Sequence, residues 1–326
     1  MYTLARLTLC IMSFHLLGIA QVSSYKLTPA AKESVRINYI SSGDPSVRWE
    51  NGYFLAVRLQ PEYAIPVTAF DSSGTKLFET SLSIDGVARI HPDGLAISST
   101  GSFTVSGTAF SADGSFVSFI AWLDRTGKLV RVVRLEKFSA VAMSFVGEHL
   151  WVVGKAITYP SREEAPDHDM IRIYDRQGKF EKSLLPRSTF PARTFHPGRL
   201  AFLASNGKTV VFLSAELGYL AQISQDGTIL GIQTGPLPAS PLVSGLAISE
   251  NSEILMSCQS ESLDKTQQVS IYRWIQGSGS WEAVYSTALK HPGGYRSLMG
   301  FDGDAALVAN HSNPLSYNWL ILERKP

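Results

Sequence analysis

Three features of the sequence predict an all-β chain, a six-bladed β-propeller with four-stranded blades. An Asp-x-x-Gly turn returns at intervals of about 50 residues, short apolar strands fill each interval, and no convincing amphipathic helix interrupts them. The composition agrees. Of 326 residues, 44% are hydrophobic, 10% are aromatic and 26 are glycine, which suits a chain that buries a core and turns often. It is too apolar for a disordered chain. With 29 Lys+Arg against 28 Asp+Glu, it also lacks the basic excess of a nucleic-acid binder.

The N-terminal segment stands outside the fold. Met1 to Arg6 carries one positive charge, Leu7 to Ala20 is dominated by Leu, Ile, Met and Phe, and Gln21-Val22-Ser23-Ser24 is small and polar. This is the layout of a secretory signal, and its apolar run is short beside the roughly 20 residues a membrane span needs. Cleavage is expected near residues 20–24. That leaves a secreted or periplasmic single domain, 25–326, with no membrane span; an uncleaved N-terminal anchor is the alternative. Residues 1–24 hold one basic residue, Arg6, and no acid, so the remainder carries no net charge.

Cys258 is the only cysteine after residue 24, which excludes an intramolecular disulfide and Cys-based zinc sites. It ends the apolar run Glu253-Ile254-Leu255-Met256-Ser257-Cys258 and reads as a buried small hydrophobe. A sequon occurs at Asn310-His311-Ser312.

The first unit closes on Phe70-Asp71-Ser72-Ser73-Gly74, the second on Leu123-Asp124-Arg125-Thr126-Gly127, and the third on Tyr174-Asp175-Arg176-Gln177-Gly178. Weaker copies follow at Ser224-Gln225-Asp226-Gly227 and Gln276-Gly277-Ser278-Gly279. Gly74, Gly127, Gly178 and Gly227 are spaced by 53, 51 and 49 residues. Asp accepts backbone N–H bonds two residues on, and Gly supplies the positive φ that closes a bulged hairpin.

Apolar strands precede each turn, as in Gly94–Ser98, Phe103–Gly107 and Phe119–Leu123, with Leu129–Val133 after it. Gly245–Ser249, Ile254–Ser257 and Val269–Trp274 repeat the order. Trp122, Trp151, Trp274 and Trp319 fall on strands and are expected between blades. The sixth unit has strands at Ala305–Ala309 and Trp319–Leu322 but no fourth. The alternating segment Ser34–Ile40 is expected to supply it and so close the ring.

With its Gly-Leu-Ala-Ile-Ser strands and Asp-x-x-Gly turns, the chain resembles six-bladed propellers of the NHL-repeat type over about residues 34–325. That group contains enzymes and pure binding scaffolds, so the resemblance implies a fold and not a reaction.

Three signals recur on the face where outer strands lead to the next inner strands: His91-Pro92-Asp93-Gly94, His196-Pro197-Gly198-Arg199 and His291-Pro292-Gly293-Gly294. The histidines are 105 and 95 residues apart, two blades each, so three imidazoles could converge on the axis and hold Zn²⁺ with an open position. The same residues also suit turn openers. The spacing resembles that of peptidyl-α-hydroxyglycine amidating lyases, although here His precedes Pro rather than following it. That resemblance implies a metal site of His91, His196 and His291, completed by Tyr159 and Arg58.

The long insertion Tyr159–Asp169 adds Asp167, His168 and Asp169 as cation ligands or acid and base, or as a solvated loop. A lactonase-like carboxylate site would rest on Glu50 and Asp93. No Gly-x-Ser-x-Gly, phosphate-loop or His-Glu-x-x-His motif is present. The leading expectation is therefore an exported, monomeric scaffold for a small ligand or a protein. A three-His metal lyase or hydrolase is the alternative.

Overall fold

The computed structural model describes residues 24–39, 45–58, 62–158, 165, 167–190, 201–215, 218–235, 237, 242–261, 267–288, 294–310 and 315–325. They form β1 (Tyr25–Pro29) and β2 (Val35–Arg36), followed by six antiparallel sheets. Blade I holds β3 (Pro45–Glu50), β4 (Tyr53–Arg58), β5 (Ile65–Asp71) and β6 (Lys76–Leu82). Blade II holds β7 (Arg89–Ile97), β8 (Phe103–Phe110), β9 (Phe116–Leu123) and β10 (Leu129–Leu135). Blade III holds β11 (Phe138–Val146), β12 (His149–Ala156), β13 (Asp169–Tyr174) and β14 (Phe180–Pro186).

Blade IV holds β15 (Ala201–Ser205), β16 (Thr209–Ser214), β17 (Tyr219–Ser224) and β18 (Ile229–Thr234). Blade V holds β19 (Leu242–Ile248), β20 (Ile254–Glu261), β21 (Gln267–Ile275) and β22 (Ser280–Ala288). Blade VI holds β23 (Tyr295–Asp302), β24 (Ala305–Asn310) and β25 (Ser316–Arg324), with β1 as its outermost strand. The first strands β3, β7, β11, β15, β19 and β23 contact one another in a ring and line the central channel. The chain is thus a six-bladed β-propeller, as the repeat predicts.

The core is divided between the blades. Strand residues alternate sides, so the three inner strands of a blade are apolar toward both neighbouring blades, while outer strands such as β10 and β18 are largely exposed. Trp151 and Val153 join the cluster between blades III and IV, while Leu150 and Val152 join the one between II and III. Similar clusters fill the other four interfaces. Trp122, Trp151, Trp274 and Trp319 are all buried in these seams. Each such aromatic removes on the order of 150–250 Å² from water, which makes the seams the main source of stability.

The turn glycines have a second role that their φ angles do not reveal. A Cβ on Gly127 would lie 2.5 Å from the Phe78 ring of blade I. On Gly178 it would lie 3.0 Å from Val133 of blade II, and on Gly227 3.0 Å from Leu184 of blade III. Each turn is therefore pressed onto the outer strands of the preceding blade. The aspartates fix its shape: Asp71 Oδ1 accepts from the Ser73 and Thr75 amides at 2.9 and 3.0 Å, and Asp124 Oδ1 from Thr126 and Lys128 at 2.8 and 3.1 Å.

Ring closure differs from the expectation. The outer strand of blade VI is β1, paired with β25 from Tyr25↔Arg324 to Pro29↔Leu320. Within the described part of the alternating segment, 34–39, Val35 and Arg36 pair with Tyr317 and Ser316, and the Ile37 amide donates to the Leu315 carbonyl at 2.9 Å. Its apolar residues Val35, Ile37 and Tyr39 instead point into the seam between blades VI and I. Period-two alternation there marks a strip that plugs a seam. The Arg36 carbonyl meets Gly74, where a Cβ would lie 2.4 Å away, so β2 stands in for the outer strand that the other turns rest on.

Candidate functional site

The two faces of the disc are built from different connections. One face carries the turns 51–52, 72–75, 98–102, 124–128, 147–148, 175–179, 206–208, 225–228, 249–253, 276–279 and 303–304. The other carries connections from 136–137 up to 157–168 and 187–200 in length, and includes all those leading into a new blade. Long, unequal connections on a rigid scaffold are where binding residues usually sit.

On the long-connection face, a pocket of about 260 Å³ opens at the start of the inner strands of blades V, VI and I. Its polar wall is Ser244, Gln259, Arg296, Ser297 and Tyr317, and its apolar wall is Pro45, Val47, Met299 and Ala309. Ser297, Ala309 and Tyr317 are cross-strand neighbours in blade VI. Ser244 bonds the Ser257 hydroxyl at 2.9 Å. The Tyr317 hydroxyl is buried and has no hydrogen-bond partner among the described residues. Burial pushes its pKa up, against the opposing pull of the Arg296 charge.

At the opposite end of the channel lies a cavity of about 450 Å³, lined in part by Arg48, Glu50, Asn51, Asn206, Glu250 and Asp302. Its buried carboxylate is structural. Glu50 accepts from the Ile97 amide of blade II at 2.8 Å, and from the Phe145 amide of blade III at 3.1 Å as well as the Ser144 hydroxyl. Three successive blades are thus tied by one side chain. Burial raises the Glu50 pKa, opposed by Arg48, whose Nη2 lies 3.6 Å from Glu50 and donates at 3.4 Å to the Leu203 carbonyl of blade IV.

Of the residues singled out from the sequence, those within the described part turn to separate local partners. His91 lies within inner strand β7, paired with Thr108, and so is not the turn opener its Pro neighbour suggests. An inner strand is an edge strand, and the bulge between Pro92 and Gly94 tolerates the missing N–H. His91 Nδ1 lies 3.1 Å from Asp93 Oδ1, and Thr108 donates to Asp93 Oδ2 at 3.2 Å. Burial raises the Asp93 pKa, and the adjacent His91 opposes it. His196, His291 and Tyr159 lie outside the described residues. Arg58, at the end of β4, is paired with Glu62.

Asp169 accepts from Ser183, whereas His168 Nδ1 lies 3.1 Å from the Ala165 carbonyl, so these two turn to different partners. Glu50 ends β3 on the tight-turn face and Asp93 sits within β7, which separates the two carboxylates and places neither at a strand start. Among the described residues, no group of three His, Cys, Asp or Glu could hold a metal ion. Cys258 is buried, and its pKa is pushed up to about 12 by burial, in keeping with an inert hydrophobe.

Sequence reasoning missed the pocket of Arg296, Gln259, Ser244 and Tyr317. Ser244, Arg296 and Met299 are each the extra residue of a β-bulge, between Val243 and Gly245, Tyr295 and Ser297, and Leu298 and Gly300. Bulges re-aim side chains and have no fixed residue pattern, so only the strand register reveals them.

No protein-family model matches the chain, and no curated protein matches it in sequence. Solved structures do match. A candidate exported protein of Bacteroides fragilis aligns over 94% of this chain and 97% of its own, at 10% identity and a TM-score of 0.50. A Hadza microbial sialidase aligns over 84% of this chain and 64% of its own, at 10% identity and a TM-score of 0.50. A protein of unknown function from Bacteroides caccae aligns over 79% of this chain and 82% of its own, at 10% identity and a TM-score of 0.49. Among the described residues, no helix is long and apolar enough to cross a membrane. At these identities the likeness to the first two supports one conclusion, that the chain shares their overall fold.

Proposed function

We propose that this propeller is exported and serves as a binding scaffold, taking a small ligand or a protein on its long-connection face. The observation that carries this is the asymmetry of the disc. One face is edged by short turns, the outer ones pressed against the preceding blade, while the other carries long, unequal connections and a polar pocket. The leader-like residues 1–24 and the likeness to a candidate exported protein support export.

Two measurements test the reading. N-terminal sequencing of the protein from its native envelope should begin between residues 20 and 25, leaving β1 whole. A photo-crosslinking residue at exposed Tyr63, on the long-connection face, should yield adducts that one at Lys76, beside a tight turn, does not. Adducts from Lys76 alone, or from neither position, refute the assignment of the face.

A second reading, a metal-dependent lyase or hydrolase of the amidating-lyase kind, is favoured by one contact. His91 is held through Nδ1 by Asp93, the outer-shell carboxylate arrangement that orients metal-bound imidazoles, and Nε2 would then be the coordinating nitrogen. His196 and His291 would complete a zinc site, with Tyr159 and Arg58 beside it. Metal bound near one equivalent, and lost in a His91→Ala/His196→Ala/His291→Ala variant, is its expected result. Metal-free protein at saturating zinc refutes it.

A further inference from the structure

Each blade ends in an outer strand whose far edge is unpaired among the described residues, and these edges differ in charge. On β6, Lys76 and Glu79 neutralise each other at 2.9 Å. β14 carries Glu181 and Lys182, β18 carries no charged residue, β22 carries Glu282, and β1 carries Lys26. β10 differs from all of them. Within Leu129–Leu135 it has Arg131, Arg134 and no carboxylate, and both arginines are exposed.

These two charges are uncommitted. Blade II falls wholly within the described stretch 62–158, and neither Arg131 nor Arg134 has an ion-pair or hydrogen-bond partner among the described residues. Lys128 adds a third cation at the strand's start, where Asp124 is occupied by the amides of Thr126 and Lys128. Glu136 lies beyond the strand, in the turn to β11, and pairs with neither arginine. Val132 packs into the seam with blade I and Val133 into the seam with blade III, so Arg134 lies on the first side of the edge and Arg131 on the second. Val130, at the start of the same strand, is 62% exposed. Alternate residues of an outermost strand also turn their N–H and C=O groups outward, ready to pair.

We propose that the outer edge of blade II docks an acidic, extended segment of a partner protein by strand addition. The segment pairs with the outward amides and carbonyls of β10. It sets one carboxylate beside Arg131 and another, three residues away and on the other side, beside Arg134. Main-chain bonds give the affinity, and the two charge pairs select the partner. A second copy of this chain does not suit the edge. Two-fold pairing centred between Val132 and Val133 sets Arg131 and Arg134 of the two copies opposite one another, and like charges so placed are destabilising. The edge lies on the rim of the disc, apart from the long-connection face, so this site is independent of the reading above.

The test uses the protein from Tyr25 onward and three fluorescein-labelled peptides: TVEVTEVTV, its glutamine counterpart TVQVTQVTV, and TVEPTEPTV. Anisotropy titrations at low salt should show the first binding at least about tenfold more tightly than the second, about threefold for each charge pair. The proline peptide keeps both charges but lacks two N–H donors, and should bind at least about tenfold more weakly than the first. Arg131→Gln/Arg134→Gln should erase the preference for glutamate, whereas Lys26→Gln on β1 leaves it intact. Because the Arg131 stem lies against the blade III turn, Arg134→Gln alone is the second arm, with an expected loss of about threefold. Hydrogen exchange should slow in 129–135 on adding the first peptide, and not in 76–82.

Equal binding of the glutamate and glutamine peptides, or a preference that survives the double substitution, overturns the proposal. So does a proline peptide that binds as well as the first, which would mark a general polyanion surface. No glutamate peptide bound at about 1 mM, or unchanged exchange in 129–135, overturns it as well.

Discussion

The two faces of this propeller share the same blades yet obey different rules. On the tight-turn face the same residues return in blade after blade, because backbone geometry and close approach dictate them. Gly74, Gly127, Gly178 and Gly227 each combine a positive φ with a neighbour a Cβ would crowd. Gly86 and Gly114 on the opposite face, and Gly52, Gly207 and Gly303 in the inner turns of the same face, also have positive φ, but nothing lies within 4 Å of an added Cβ; on the opposite face Gly218 does approach a neighbour, the Gly235 carbonyl at 3.1 Å. The contrast teaches that repetition in this chain records contact between blades. Where the connections meet no neighbour, sequence and length are free to differ and to take up function.

The severest way to break the comparison is at blade VI, which has no covalent turn to its outer strand. Deleting 25–29 leaves the β25 edge unpaired and should lower stability by on the order of 5 kcal/mol, enough to unfold a domain of ordinary stability. Thermal melts read by circular dichroism should lose their cooperative transition. A melt that stays cooperative within a few degrees would show that β2 alone closes the ring.

Next comes Glu50→Ala, which strands the Ile97 and Phe145 amides and the Ser144 hydroxyl, with an expected loss of about 3–5 kcal/mol in urea titrations. Its pH signature is distinctive. Burial raises the Glu50 pKa, so the folded protein keeps a proton that the unfolded chain releases above about pH 4.3. Its contribution is therefore full below that value and declines as pH rises through the folded pKa, a decline that Glu50→Gln should remove.

The turn aspartates have the opposite sign. Hydrogen bonds from Ser224 and Thr228 lower Asp226 to about 2, and neighbouring hydroxyls and amides likewise lower Asp71, Asp113 and Asp124. Their support is present above the ordinary Asp value and is lost as pH falls toward 2.

Glycine substitutions sharpen the contrast directly. Gly74→Ala and Gly127→Ala should each cost about 3 kcal/mol, against about 1 kcal/mol for Gly86→Ala and Gly114→Ala, which meet only the φ penalty. Equal losses in chemical denaturation would remove the contact explanation. The smallest effect is expected at Val130→Thr, on the exposed outer edge of blade II, within about 0.5 kcal/mol of the parent.

These expectations also show what could be seen in advance. The six blades and the packing of Trp122, Trp151, Trp274 and Trp319 were legible because turn chemistry is local and burial on both sides leaves an apolar trace in the inner strands. Closure was misplaced for a physical reason. Val35, Ile37 and Tyr39 alternate as a strand would, yet they fill a seam, while the true closing strand Tyr-Lys-Leu-Thr-Pro has an outer position that asks little of its side chains. The pocket was illegible because Ser244, Gln259, Arg296 and Tyr317 come from different strands of two blades, and a bulge carries no periodic signature.

The closing ladder has a mechanical consequence. Tyr25 is paired with Arg324, so both ends of the described fold meet at one end of the β1–β25 ladder. Tension applied across them would load that pair first and peel the strands apart one pair at a time. A shearing pull would have to break all their hydrogen bonds together. The ring therefore has a weak direction, and a tether or fusion attached at both ends would pull along it.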